Sequence, residues 1–91
     1  MTHAIVLVEA ERSAMATLGP ELAELEGVGG VYSVTGEWDF VAVVHVKRHE
    51  DLRDVVTTGI AMLPGVARTQ TMVAFEVFSK HDLEAMFSIG E

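Results

Sequence analysis

At 91 residues the chain forms one domain, and a body of that size buries only about 60–65% of its unfolded surface, so a lone copy is marginally stable. Apolar residues make up 49% of it, yet no apolar run is longer than Phe40 to Val44, far short of a bilayer span, and the absence of cysteine excludes disulfides and thiolate chemistry. Fourteen Asp and Glu against six Lys and Arg give a net charge of −8, which repels the phosphates that supply much of nucleic-acid affinity; the largest basic cluster, Lys47 to His49, reads as a solvated strand end.

The N-terminus offers "AIVLV" with no basic region before it, so a signal peptide is not expected and the cytoplasm is the expected compartment. "HAIVLVEA", His3 to Ala10, is a short strand of the buried type. Met15, Leu18, Leu22 and Leu25 then recur at helical spacing on one face. Gly19-Pro20 falls inside that pattern, where proline removes a hydrogen bond and crowds the preceding turn. The helix therefore either starts at Pro20 or is kinked or in two parts, and the spacing of Leu18 favours the second choice. "GVGG", Gly27 to Gly30, stops the helix: it precedes a strand and lacks the following Lys-Ser/Thr of a phosphate loop. The strand-like stretch from Val31 to Thr35 ends at Gly36. The turn that follows is not the Asn-Gly or Asp-Gly pair of a tight hairpin. It holds Gly36, Glu37, Trp38 and Asp39, two carboxylates and the chain's one tryptophan on a loop.

The second half has the same order as the first. "FVAVVHV" is a strand, "HEDLRDVVTTGIAMLPGV" a helix with Leu52, Val55, Val56, Ile60 and Leu63 on one face, and "ARTQTMVAFEVF" the closing strand. Shifting by 38 residues lays Gly27-Val28 on Gly65-Val66 and Leu25 on Leu63. Two βαβ units in series predict an α+β, ferredoxin-like β-α-β-β-α-β fold: an antiparallel sheet with both helices on one face. A sheet face left to water shows polar residues at alternate positions, but "FVAVVHV" and "MVAFEVF" are apolar at nearly every one. No third layer is encoded, so a second copy, sheet against sheet, is the expected cover. The domain is expected over 1–79. Beyond it, 80–91 reads as a short helix, with Ser79 and Asp82 resembling a capping box and Leu83, Met86 and Phe87 forming a stripe that docks on its own domain or on a neighbour.

Catalytic signals are weak. His45 and His49 are four apart, but one sits in a strand and the other at a helix start, so neither a metal nor another cofactor is expected. No Gly-x-Ser-x-Gly elbow occurs. The distinctive chemistry lies at one end of the sheet, where the loop Gly36 to Asp39 comes near "RTQT", Arg68 to Thr71. Thr69 and Thr71 are two apart and project from the same sheet face. A carboxylate for an ammonium, loop N–H groups for a carboxylate and flanking hydroxyls suit a zwitterion. On composition alone, solvated turn acids and ordinary strand threonines are the favoured reading.

"VYSVTGEWD" and "PGVARTQT" match the pattern Tyr-x-x-Thr-Gly-x-x-Asp and Pro-Gly-Val-x-x-Thr-x-Thr. The chain from about His3 to Ser79 thereby resembles the effector-binding (RAM) domain of the Lrp/AsnC family. The resemblance implies a dimeric α+β barrel, with an effector pocket between dimers in a ring-shaped assembly. It carries the pocket onto Gly36, Asp39, Thr69 and Thr71, with Glu37 beside them and Trp38 where the family commonly has tyrosine. Family members usually bear an N-terminal helix-turn-helix domain. This chain begins at the first strand, so the resemblance implies a stand-alone form. Such a form would bind an amino acid or related metabolite, modulate transcription without binding DNA itself, and partner a full-length relative. Two other readings stay open: a cofactor-free monooxygenase of the dimeric α+β barrel type, using His45 and Trp38, and an oligomerisation domain only. Under the first reading Asp39 pairs with the effector's ammonium. Its replacement by Asn is expected to leave folding nearly unchanged, since a turn carboxylate supports no core.

Overall fold

The computed structural model describes residues 1–78. The expected C-terminal helix and its Ser79–Asp82 cap lie outside the described residues. Strands β1 (Thr2–Ala10), β2 (Val28–Ser33), β3 (Phe40–Val46) and β4 (Val66–Val73) form one sheet in the order β2-β3-β1-β4. Every neighbouring pair is antiparallel, as the split βαβ plan requires.

The strands are rich in valine, whose branched side chain fits a pleated surface. Their two-residue alternation divides the sheet into two faces. Ala4, Val6 and Val8 of β1 and Phe40, Ala42, Val44 and Val46 of β3 point to the helix side and are buried with Leu18, Leu22, Leu52 and Ile60. Fully burying a side chain of this size contributes about 1.5–3 kcal/mol, so this single layer carries the fold. On the other side the register aligns Ile5 with Met72, Leu7 with Val41 and Gln70, and Tyr32 with Val41. Ile5, Met72 and Tyr32 are exposed there, Tyr32 by 63%. Within one chain, nothing among the described residues covers that apolar face.

The first helical segment is in two parts, as the position of Gly19-Pro20 suggested. A 3-10 turn over Arg12–Ala14 precedes helix α1 (Leu18–Ala23), and Pro20 sits in the first turn of α1, where a missing N–H leaves no intrahelical bond unmade. Met15 falls between the two parts and is exposed, not on the core stripe.

The second segment is helical throughout but not one α-helix. Helix α2 (Asp51–Arg53) widens into a π-type stretch over Asp54–Gly59 and tightens to 3-10 winding over Ile60–Met62. Val55, Val56, Thr57 and Thr58 are β-branched and Gly59 has no side chain, so this run has little intrinsic preference for regular α winding. Leu52 and Ile60 are nevertheless buried, and Val55, Val56 and Leu63 pack against the core. The two halves close alike. Val28 N–H donates to the Leu25 carbonyl at 3.1 Å and Val66 N–H to the Leu63 carbonyl at 3.2 Å, with Gly27 and Gly65 at φ +93° and +98°. The closing strand is shorter than expected. It ends at Val73, and after one further bond, Ala74 N–H to the His3 carbonyl, the chain leaves the sheet with Phe75 and Phe78 exposed.

Candidate ligand-binding site

The loop between β2 and β3 is stitched to the end of β1. Val34 N–H donates to the Asp39 carbonyl at 3.0 Å, and Asp39 N–H donates to the Val8 carbonyl at 3.0 Å. The register of β1 against β4 shifts between Glu9 and Ala10, and there Ala10 N–H donates to Asp39 Oδ2 at 2.8 Å. A carboxylate thus accepts from an amide at an irregular strand end, a part-buried, charge-assisted bond. Asp39 supports no core, as expected of a turn carboxylate, but its side chain does hold the strand end at Ala10. Gly36 has φ +111°, a conformation that side chains with a Cβ rarely adopt, and a Cβ there would meet nothing within 4 Å.

The rest of the loop gathers around a residue that sequence reasoning passed over. Arg68 lies opposite Glu9 in the β1–β4 register, on the uncovered sheet face. Its Nε donates to Glu9 Oε1 at 3.0 Å, its Nη2 to Glu37 Oε2 at 3.4 Å, and its guanidinium carbon stands 4.2 Å from the centroid of the Trp38 ring. The hydrogen bonds that Arg68 donates to Glu9 and then Glu37 push its pKa further up, so the guanidinium stays charged. Two carboxylates, Glu9 and Glu37, and one indole therefore meet at one cation. The missed signal was the step of one residue from Thr69 to Arg68, which moves a side chain to the opposite face.

Thr69 and Thr71 do share a face. They pair with Val8 and Val6 and so lie on the helix side, opposite to Arg68. Within one chain, then, Glu37 and Trp38 are brought to Arg68, Asp39 to Ala10, and the threonines are set apart. Among the described residues, the three principal clefts are lined by none of Gly36, Glu37, Trp38, Asp39, Thr69 or Thr71. The largest, about 680 Å³, lies at the opposite end of the sheet, between Gly27, His45, Asp51, Asp54 and Val55. His45 faces His3 there with ring centroids 6.2 Å apart. Trp38 and His45 are separated by the length of β3, roughly 20 Å at the usual strand rise.

The family model described as the Lrp/AsnC ligand binding domain matches residues 3–83. An uncharacterized HTH-type transcriptional regulator of Pyrococcus furiosus is 31% identical over 77 residues, 81% of this chain and 51% of that protein. The chain spans about half the length of the curated relatives it matches. TTHA0845 of Thermus thermophilus is 46% identical with a TM-score of 0.81, covering 88% of this chain and all of that one. A Neisseria meningitidis transcriptional regulator solved as an L-Met complex shares the fold, with a TM-score of 0.76 at 15% identity over 86% of this chain and 52% of its own.

Proposed function

For a chain that belongs to the Lrp/AsnC family, matched over most of its length by that family's ligand-binding domain, we propose a regulatory module that binds an amino acid or related small metabolite at a subunit junction. It acts on transcription through a partner, without gripping DNA itself. The observation that carries this reading is the loop. Gly36 to Asp39 is fixed by three hydrogen bonds, yet leaves Gly36 and Glu37 exposed beside an uncovered sheet face.

The principal clefts of one chain do not take in these residues, so the pocket is completed by a neighbouring subunit. A second copy laid on Ile5, Tyr32 and Met72 covers the apolar face, and further association into a ring of dimers brings loop and threonines of different chains together. A fold neighbour was solved with L-Met, which fits a zwitterionic ligand. The net charge of −8 is the argument against direct DNA contact. A monooxygenase centred on His45 and Trp38 has no support in the geometry, because β3 holds the two apart.

A thermal-shift screen against the twenty amino acids is the test. A ligand present at 100 times its Kd stabilises the folded state by about 2.7 kcal/mol, enough to raise Tm by several degrees. At least one amino acid is expected to do so. No shift with any of them at millimolar concentration removes amino-acid binding from the reading.

A further inference from the structure

The Pro-Gly-Val-x-x-Thr-x-Thr pattern leaves position 68 open, yet in this chain that position organises the loop. We propose that Arg68 receives the carboxylate of the ligand, and that Glu37 is the group the ligand displaces. This rests on the amino-acid reading above and assigns a residue to half of it.

A guanidinium presents five donors in a rigid plane, and its worth as a carboxylate receptor depends on how firmly that plane is held. Two contacts hold it here. Nε is bonded to Glu9 at 3.0 Å, and the ring of Trp38 lies 4.2 Å from the guanidinium carbon. The outer edge is held loosely. Nη2 reaches Glu37 at 3.4 Å, the Glu37 side chain is 72% exposed, and Nη1 makes no hydrogen bond among the described residues. An exposed pair of that length is worth little. An incoming carboxylate can take Nη1 and Nη2 together in a fork, with the plane already set, while Glu37 swings into solvent. Glu37 is thus a competitor for Arg68 and not a partner of the ligand.

Trp38 is the chain's only tryptophan and stacks on Arg68, so its fluorescence reports the event. The chain, as wild type, Arg68→Gln, Arg68→Lys and Glu37→Gln, is titrated with each of the twenty L-amino acids and with the corresponding amines that lack the carboxylate. With the amino acid that binds best, Arg68→Gln is expected to weaken binding about 10- to 100-fold, as loss of charge-assisted hydrogen bonds does. Arg68→Lys, which keeps charge but not the fork, should fall between. The amine should bind wild type and Arg68→Gln alike. Glu37→Gln should tighten amino-acid binding several-fold. Unchanged amino-acid affinity in Arg68→Gln, or weaker binding in Glu37→Gln, overturns the role of Arg68 and leaves amino-acid binding standing. Failure of wild type to bind any amino acid overturns both. Should Arg68→Gln fail to fold, the exposed Glu37→Gln variant still decides.

Discussion

Asp39 gives one carboxylate oxygen to the Ala10 amide and its own amide to the Val8 carbonyl, so a single loop residue ties β3 to the irregular end of β1. Truncation to alanine leaves the Ala10 N–H without its acceptor, and Asp39→Ala is expected to lower unfolding free energy by about 1–2 kcal/mol in urea titrations at fixed protein concentration. Asp39→Asn keeps an acceptor and should cost less than half as much. Equal stability of all three proteins would mean that the bond carries no weight. The place of Asp39 on the loop between two strands was legible in "TGEWD". Its bond to Ala10 was not, because the register shift between Glu9 and Ala10 arises from pairing with β4 and nothing in "HAIVLVEA" marks it. Arg68 was hidden for a related reason. Its partner Glu9 is 59 residues away, and only the strand register sets them face to face.

Among the elements, the glycines that close each half show how repeated sequence becomes repeated geometry. Gly27 and Gly65 both hold positive φ, and both precede a strand whose first amide bonds back to a leucine carbonyl. A Cβ at Gly65 would overlap the Cβ of Ala14, whereas one at Gly36 would meet open space. Gly36→Ala should therefore cost only its backbone strain, about 1 kcal/mol, and Gly65→Ala about 2 kcal/mol or more, since packing must shift as well. Thermal unfolding of the two variants tests the order, and an equal or reversed cost contradicts it. Helix positions and buried faces followed from apolar spacing, except at Met15, which is exposed. The winding of the second segment did not, because the β-branched run at 55–58 weakens α preference without choosing what replaces it, and the core accepts Leu52 and Ile60 through the wider turns. The closing strand was overread for the opposite reason. "AFEVF" has strand composition, but beyond Ala74 the chain no longer follows β1, whose first residue is Thr2.

Among the described residues, one sheet face has a core and the other has none. Second-copy burial of that face predicts an oligomer at micromolar concentration, and Val43→Glu, which puts a carboxylate in its centre, should shift light scattering toward the monomer mass. A wild-type monomer contradicts the proposed assembly. The −8 charge likewise predicts no salt-sensitive binding of duplex DNA by this chain, and sub-micromolar binding at physiological salt would contradict it. The Gly36–Asp39 loop is the proposed ligand site. A crystal structure grown with the amino acid that most raises Tm tests it directly. Ligand density is expected at a subunit junction, against Gly36, Asp39 and the outer edge of Arg68. Density in the cleft between Gly27 and Val55, with the loop untouched, would contradict it.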